Sequence, residues 1–219
     1  MGYLKVSIIS KIKLEKIEAD LLTKFGILKT KMTVKQSYSG MPGVYFCTFT
    51  CYHWLNLFEI TSFYNEIYKW FQLLTTKNIS INGFVIMPNH LHTLMHCPES
   101  NSNINKLIGN GKRFMAYKII EILKAQNKYS ILKLLENGVS LYEKKKGKLH
   151  QVFQPSFDCK KIDSIDFGFQ KLDYIHNNPV KGKWNLANDC LNYQHSSARF
   201  YELGTLDEFS FLSNLSDFL

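Results

Sequence analysis

Residues 84–96 read Phe-Val-Ile-Met-Pro-Asn-His-Leu-His-Thr-Leu-Met-His. Three apolar residues lead into a turn signal, and the apolar pattern then resumes. Proline fixes φ and cannot donate to a ladder, and asparagine tolerates turn conformations, so Met87-Pro88-Asn89 separates two strands. In a strand over 90–96, side chains alternate, which puts His90 and His92 on one face and Leu91 on the other. Two imidazoles so placed can converge on one cation. Imidazole suits Zn, Mn, Fe, Cu or Ni, and can help hold Mg when the other ligands are oxygens. A His-x-His pair by itself is more often structural than metal-binding, so its weight depends on the rest of the chain. His96 shares the parity of the pair but lies roughly 13 Å along the strand from His90, too far for the same ion.

The periods on either side define an alternation of elements. Val44 to Tyr52 is rich in strand formers. Ile60, Phe63, Ile67, Trp70 and Leu74 follow helical spacing, which predicts one amphipathic helix from Phe58 to about Leu74. Ile79 to Ile86 is a second strand and 90–96 a third. Ser102 or Asn103 can cap a helix from about Ile104 to Lys124, weakened by Gly109 and Gly111. Ser130 to His150 has no clean period and reads as a basic loop or hairpin. Val152 to Asp158 reads as a short extended segment broken by Pro155. Asp163 or Ser164 caps a helix that must stop at Asn178, because Pro179 pushes the preceding residue out of the α region. Helices grouped on one face of an antiparallel sheet satisfy this order, an α+β architecture.

The net charge of +9 favours a polyanionic partner. Residues 106–148 hold eleven basic side chains against three acidic ones, most of that excess. Only Arg113 and Arg199 are arginine, and lysine serves phosphates better than it reads guanine, so backbone binding is expected over groove readout. The five cysteines are scattered without a C-x-x-C pair, which argues against a disulfide scaffold or zinc ribbon and fits a reducing cytoplasm. No apolar run approaches the length of a membrane span, and the N-terminal apolar stretch, broken by Lys11 and Lys13, is not a signal peptide. Residues 1–39 read as an N-terminal extension, with Met32 as an alternative start. Residues 202–219 form an acidic tail, with Phe209, Phe211 and Leu212 packing back onto the domain.

The last helix carries Tyr174 and, just over one turn on, Asn178, so the two share a face. Tyrosine at such a place is commonly a core residue with its hydroxyl at the rim. It can also attack a phosphodiester and hold the strand as a phosphotyrosine. A divalent cation held by His90, His92 and the amide oxygen of Asn178 would polarise the phosphate under attack. His176 points elsewhere on the helix and is expected to pack.

The run Phe84 to His92 resembles the HUH signature of single-tyrosine transposases. Asp173-Tyr-Ile-His-Asn-Asn-Pro-Val-Lys181 resembles the tyrosine motif of the REP-associated tyrosine transposases. Gly43 to Thr50, Gly111 to Phe114 and Tyr193 to Tyr201 are similar to that family as well, so the resemblance covers about residues 40–201. The Lys-rich stretch 128–150 and Gly182-Lys183-Trp184 depart from its pattern. The resemblance implies a ferredoxin-like fold of HUH endonuclease type and a Mg²⁺- or Mn²⁺-dependent enzyme acting on single-stranded DNA. By position it makes Tyr174 the nucleophile and His90, His92 and Asn178 the metal ligands. It implies cutting and rejoining through a 5′-phosphotyrosine beside palindromic hairpins, in the cytoplasm at the nucleoid. Lys106, Lys112, Arg113 and Lys118, with Lys181 and Lys183 near the tyrosine, would guide the phosphates. Two other readings stay open: a domesticated, non-catalytic hairpin-binding protein, and a metal-dependent nuclease that uses water. Monomer and homodimer also stay open.

Overall fold

The computed structural model describes residues 41–98, 103–204 and 209–219. The expectations for residues 1–39, for Ser102 as a cap, and for Asp207 and Glu208 lie outside these.

Four strands form one sheet: β1 (Gly43–Thr50), β2 (Ser80–Ile86), β3 (His90–Cys97) and β4 (Asp158–Ile162). Their order is β2-β3-β1-β4, and each neighbouring pair is antiparallel. The helices are α1 (Leu57–Ile60), α2 (Tyr64–Thr75), α3 (Ile104–Ala125), α4 (Tyr129–Asn137), α5 (Leu141–Lys145), α6 (Ile165–Asn177) and α7 (Ala198–Leu203). This is the expected α+β class and the ferredoxin-like strand order.

Strand alternation sorts the core into two layers. Tyr45, Cys47 and Phe49 of β1 and Leu91 and Met95 of β3 face α2 and α3, packing with Ile67, Phe71, Ile108 and Ile119. The two crossover helices therefore share a face, as expected. The intervening residues Val44, Val85, Leu94 and Ile162 face the other way, onto Leu172 and Ile175 of α6. The helix after β4 thus covers the second face, an addition to the one-face arrangement. Burying Leu172 and Ile175 stabilises its docking by about 1.5–3 kcal/mol each.

Three local expectations are corrected. The helix expected over 58–74 is broken: Thr61 Oγ1 donates back to Leu57 O (2.6 Å), and Ser62 adopts φ 50° before α2 begins. The stretch 130–150 is not a loop but carries α4 and α5, the latter capped by Ser140 accepting from Glu143 N–H. The extended segment expected over 152–158 makes a single bridge, Phe153 with Cys51, and the pairing strand starts only at Asp158. That strand is an edge carrying Lys160 and Lys161, the kind of edge that charge protects and that hydrophobic pattern does not reveal.

Gly111, expected to weaken α3, is required there: a Cβ at this position would lie 2.8 Å from the Trp70 ring. Ser164 caps α6 by accepting from Phe167 N–H. The regular helix ends at Asn177, yet Asn178 keeps helical dihedrals (φ −56°, ψ −44°) and enters a 3-10 turn through Val180. The preference against the α region before proline is overridden here, and Asn178 stays on the Tyr174 side of the helix. Phe211, Leu212 and Leu215 of the tail are buried against the domain. Among the described residues no helix is long and apolar enough to cross a membrane.

Candidate active site

The turn between β2 and β3 is held from outside as well as within. Met87 N–H donates to His90 O (2.8 Å), and Asn89 O accepts from Cys51 N–H (2.8 Å). Pro88 O accepts from the N–H groups of Phe58 (3.0 Å) and Glu59 (3.3 Å), otherwise unsatisfied at the start of α1. The histidine end of β3 is therefore anchored at a fixed height against β1. The register then sets Thr50 beside His90 and Thr48 beside His92.

His90 and His92 are 3% and 5% exposed, with ring centroids 4.8 Å apart and planes at 85°. Their outer partners fix which nitrogen carries the proton. Asn89 Nδ2 donates to Trp54 O (2.7 Å) and Asn56 Oδ1 (3.1 Å), so its Oδ1 is the acceptor that faces His90 Nδ1 at 2.7 Å. His90 is then protonated at Nδ1 and keeps a lone pair at Nε2. Asn178 Nδ2 lies 3.2 Å from His92 Nε2 and donates to it, while His92 Nδ1 meets Thr48 Oγ1 at 2.6 Å. His92 Nε2 also carries a lone pair. Burial pushes the His90 pKa down to about 4; the neighbouring Asn178 amide offsets this in part, and the Lys183 charge adds to the lowering. Burial, then His90 and Lys171, push His92 well below the ordinary range. Both imidazoles are neutral at neutral pH, the state in which they bind metals.

Asn178 Oδ1 is buried and has no hydrogen-bond partner among the described residues. A buried acceptor left unpaired costs about 1–3 kcal/mol, so such atoms call for an explanation. Here the orphan sits on the amide that also faces His92. Two imidazole lone pairs and one amide oxygen form a donor set that a borderline divalent cation could accept. Among the described residues no three His, Cys, Asp or Glu side chains come together, so a third protein donor to any ion here would have to be of this other kind.

Tyr174 is 49% exposed and stands over the pair, its ring 5.2 Å from that of His92 and nearly perpendicular to it. Phe46 supports it edge-on at 6.2 Å and stacks on His92 at 5.6 Å. The three residues assigned to the metal and Tyr174 line one cleft of about 570 Å³. Spacing on α6 and alternation on β3 thus bring together all four residues expected of the site.

The basic residues divide. Lys183 lines the cleft, and Lys181 is exposed on the segment leading to it. Lys106, Lys112, Arg113 and Lys118 belong to α3, on the far layer of the sheet. There Lys112 Nζ donates to Gln154 O (2.8 Å) and Ser156 O (3.2 Å), and Lys118 pairs with Glu121 at 3.0 Å. Lys112 and Arg113 instead border a second cavity of about 720 Å³ with Lys146 and Lys148.

Sequence reasoning missed several cleft residues. Lys171, one turn before Tyr174, has Nζ 5.8 Å from the tyrosine ring, and its i, i+3 spacing could have revealed it. Thr48, Asp158 and Trp54 also line the cleft, and their placement follows from strand register and turn geometry. His176, expected to pack, is buried and donates through Nε2 to Ser197 Oγ (2.9 Å), whose hydroxyl donates to Phe84 O.

No protein-family model and no curated protein sequence matches the chain. Among solved structures, the REP-associated tyrosine transposase bound to a REP hairpin is similar to it, with TM-score 0.50 and 16% identity over 82% of this chain and 90% of that one. A candidate transposase from Deinococcus radiodurans R1 is similar at TM-score 0.36 and 14% identity, over 68% of this chain and 97% of that one. The first likeness is one of fold: the two proteins share the ferredoxin-like sheet and its helices.

Proposed function

We propose that the chain is a transposase-type enzyme that cuts and rejoins single-stranded DNA beside hairpins, with Tyr174 as nucleophile. The observation that carries this reading is the meeting, in one cleft, of a half-exposed tyrosine, two neutral imidazoles and an unpaired buried amide oxygen. The fold shared with a hairpin-bound transposase supports the same substrate class.

In this reading the Asn178 amide turns its Nδ2 off His92 Nε2, and His90 Nε2, His92 Nε2 and Asn178 Oδ1 would then hold a divalent cation, Mg²⁺ or Mn²⁺. A cation held by these three residues would supply Lewis-acid withdrawal of charge from the scissile phosphate. Thr48 and Asn89 keep the imidazoles turned so that both lone pairs face the cleft. Phe46 limits the swing of the tyrosine ring. Lys171 and Lys183 offer ammonium groups on two sides of the cleft for phosphates of the strand. Tyr174 Oη forms a bond to phosphorus and the P–O3′ bond breaks. The phenol proton leaves to solvent, and the departing O3′ takes up a proton. The 5′ end stays on the tyrosine, and attack by a 3′-hydroxyl reverses the step and rejoins strands.

The test is a denaturing gel after incubation with single-stranded oligonucleotides covering palindromes that flank the gene, with Mn²⁺ or with EDTA. A protein–DNA band that needs the metal and is lost in Tyr174→Phe is the expected result. Cleavage that persists in Tyr174→Phe without such a band would establish the water-using nuclease instead. Hairpin binding without cleavage on every oligonucleotide would establish the non-catalytic binding protein.

A further inference from the structure

Two indoles flank His90 at the mouth of the cleft. Trp54 and Trp184 have ring centroids 5.5 Å and 5.4 Å from the imidazole. They come from chain segments far apart, Trp54 from the turn after β1 and Trp184 from the stretch after α6. Between them lies the Lys183 ammonium, 5.6 Å from the Trp54 ring and 5.2 Å from the Trp184 ring. All three residues line the same cleft as Tyr174.

The placement of Trp54 is costly. Its φ is 58° and that of His53 is 50°, two consecutive non-glycine residues in the left-handed region. Each such residue is strained, a bulky one most, and persists only where its surroundings enforce it. The enforcing group is Asn89, whose Nδ2 donates to Trp54 O at 2.7 Å. Asn89 also orients His90, so one buried amide holds both the imidazole and the backbone that carries the indole beside it. The strain does not serve burial, because Trp54 is 41% exposed. Its indole is a flat apolar surface held open to solvent at a set place in a cationic cleft.

The ligand such a surface suits is anionic and flat. A cationic ligand would meet the Lys183 ammonium already between the rings. An unpaired nucleotide supplies a π-face for the indoles and a phosphate for the lysine. We propose that Trp54 and Trp184 form a stacking site for an unpaired nucleobase next to the phosphate that Tyr174 attacks, with Lys183 exchanging its indole contacts for that nucleotide's phosphate. The proposal rests on the single-stranded DNA reading and adds the element that holds the strand there. Every base has a π-face, so the site tolerates any sequence.

The test separates bases from phosphates. Fluorescein-labelled (dT)12 and a chain of twelve abasic residues, which keeps the phosphates, are titrated in EDTA and followed by anisotropy. The wild type should bind (dT)12 more tightly by a factor of about 5 to 150, the range of base–aromatic stacking. Trp54→Ala and Trp184→Ala should each remove most of that factor and leave abasic binding within about twofold. Trp54→Phe and Trp184→Phe, which keep an aromatic face and protect the test against misfolding of the alanine variants, should retain part of it. Lys183→Gln should weaken both oligonucleotides. Equal binding of the two oligonucleotides by the wild type, or equal losses on both in the tryptophan variants, would overturn the proposal. No cleavage enters the readout. Base discrimination without a covalent adduct would count against strand transfer alone, and an adduct without discrimination would count against the stacking site alone.

Discussion

Asn89→Ala removes three hydrogen bonds of one buried side chain: to His90 Nδ1, Trp54 O and Asn56 Oδ1. Among the described residues two of the partners, the His90 Nδ1–H and the Trp54 carbonyl, have no other hydrogen-bond partner. Left unpaired, the buried His90 Nδ1–H costs about 1–3 kcal/mol, and the lost bond to the part-buried Trp54 carbonyl about 0.5–1.5 kcal/mol, so the variant should lose roughly 1.5–4.5 kcal/mol in urea unfolding without metal. The second effect is separate. With Nδ1 no longer held, His90 can change tautomer and turn, and loss of such an outer partner lowers metal affinity about 10–100-fold. Mn²⁺ binding by calorimetry or by electron paramagnetic resonance at neutral pH, on protein shown by circular dichroism to be folded, reads this directly. Metal affinity within about twofold of wild type, alongside a clear loss of stability, would refute the reasoning, because Asn89 would then support the turn without orienting a ligand.

Thr48→Val keeps the volume and removes only the acceptor of His92 Nδ1; the same calorimetric titration should again show Mn²⁺ affinity lowered about 10–100-fold. Gly83→Ala sets a Cβ 2.6 Å from Leu172 Cδ1, so it should cost about 1–3 kcal/mol by thermal unfolding. Because Leu172 is two residues from Tyr174, adduct yield should fall with it, and the double variant with Leu172→Ala should be less unstable than the two single losses summed. Stability should also fall on acidification. Burial holds the folded pKa of His90 and of His176 down to about 4. Unfolded imidazoles titrate near ~6.5, so the contribution is complete above that pH and lost as pH falls from there toward about 4, up to about 3 kcal/mol for each group. Urea midpoints at pH 7 and pH 5 check this, and His176→Gln should flatten its share of the slope.

The chain discloses its site better than its frame. Strict alternation around His90 and His92 identifies β3, and one-turn spacing joins Tyr174 to Asn178, so four residues of the cleft follow from local periods. What local periods do not show is where another strand lies. Thr48 and Asp158 join the cleft only through the pairing Thr48↔His92 and Thr48↔Asp158. The edge strand β4 is disguised by its own lysines. Within α4 only Leu132 and Leu135 are buried, too short a period to separate a nine-residue helix from a loop. The break before α2 hangs on Ser62 at positive φ, a conformation that the apolar spacing across 58–74 does not register. Trp54 is oriented by a hydrogen bond from Asn89, 35 residues away, and no sequence window contains both.

Mass spectrometry of the trapped adduct tests the central claim most directly. Protein incubated with Mn²⁺ and a flanking single-stranded hairpin would be treated with nuclease and trypsin. Cleavage after Lys171 and Lys181 releases the peptide Leu172–Lys181, which contains Tyr174 as its one tyrosine. This peptide is expected to carry a nucleotide phosphate on Tyr174, absent in EDTA and in His92→Ala. DNA cut with the peptide unmodified, or a nucleotide carried on any other residue, would contradict it.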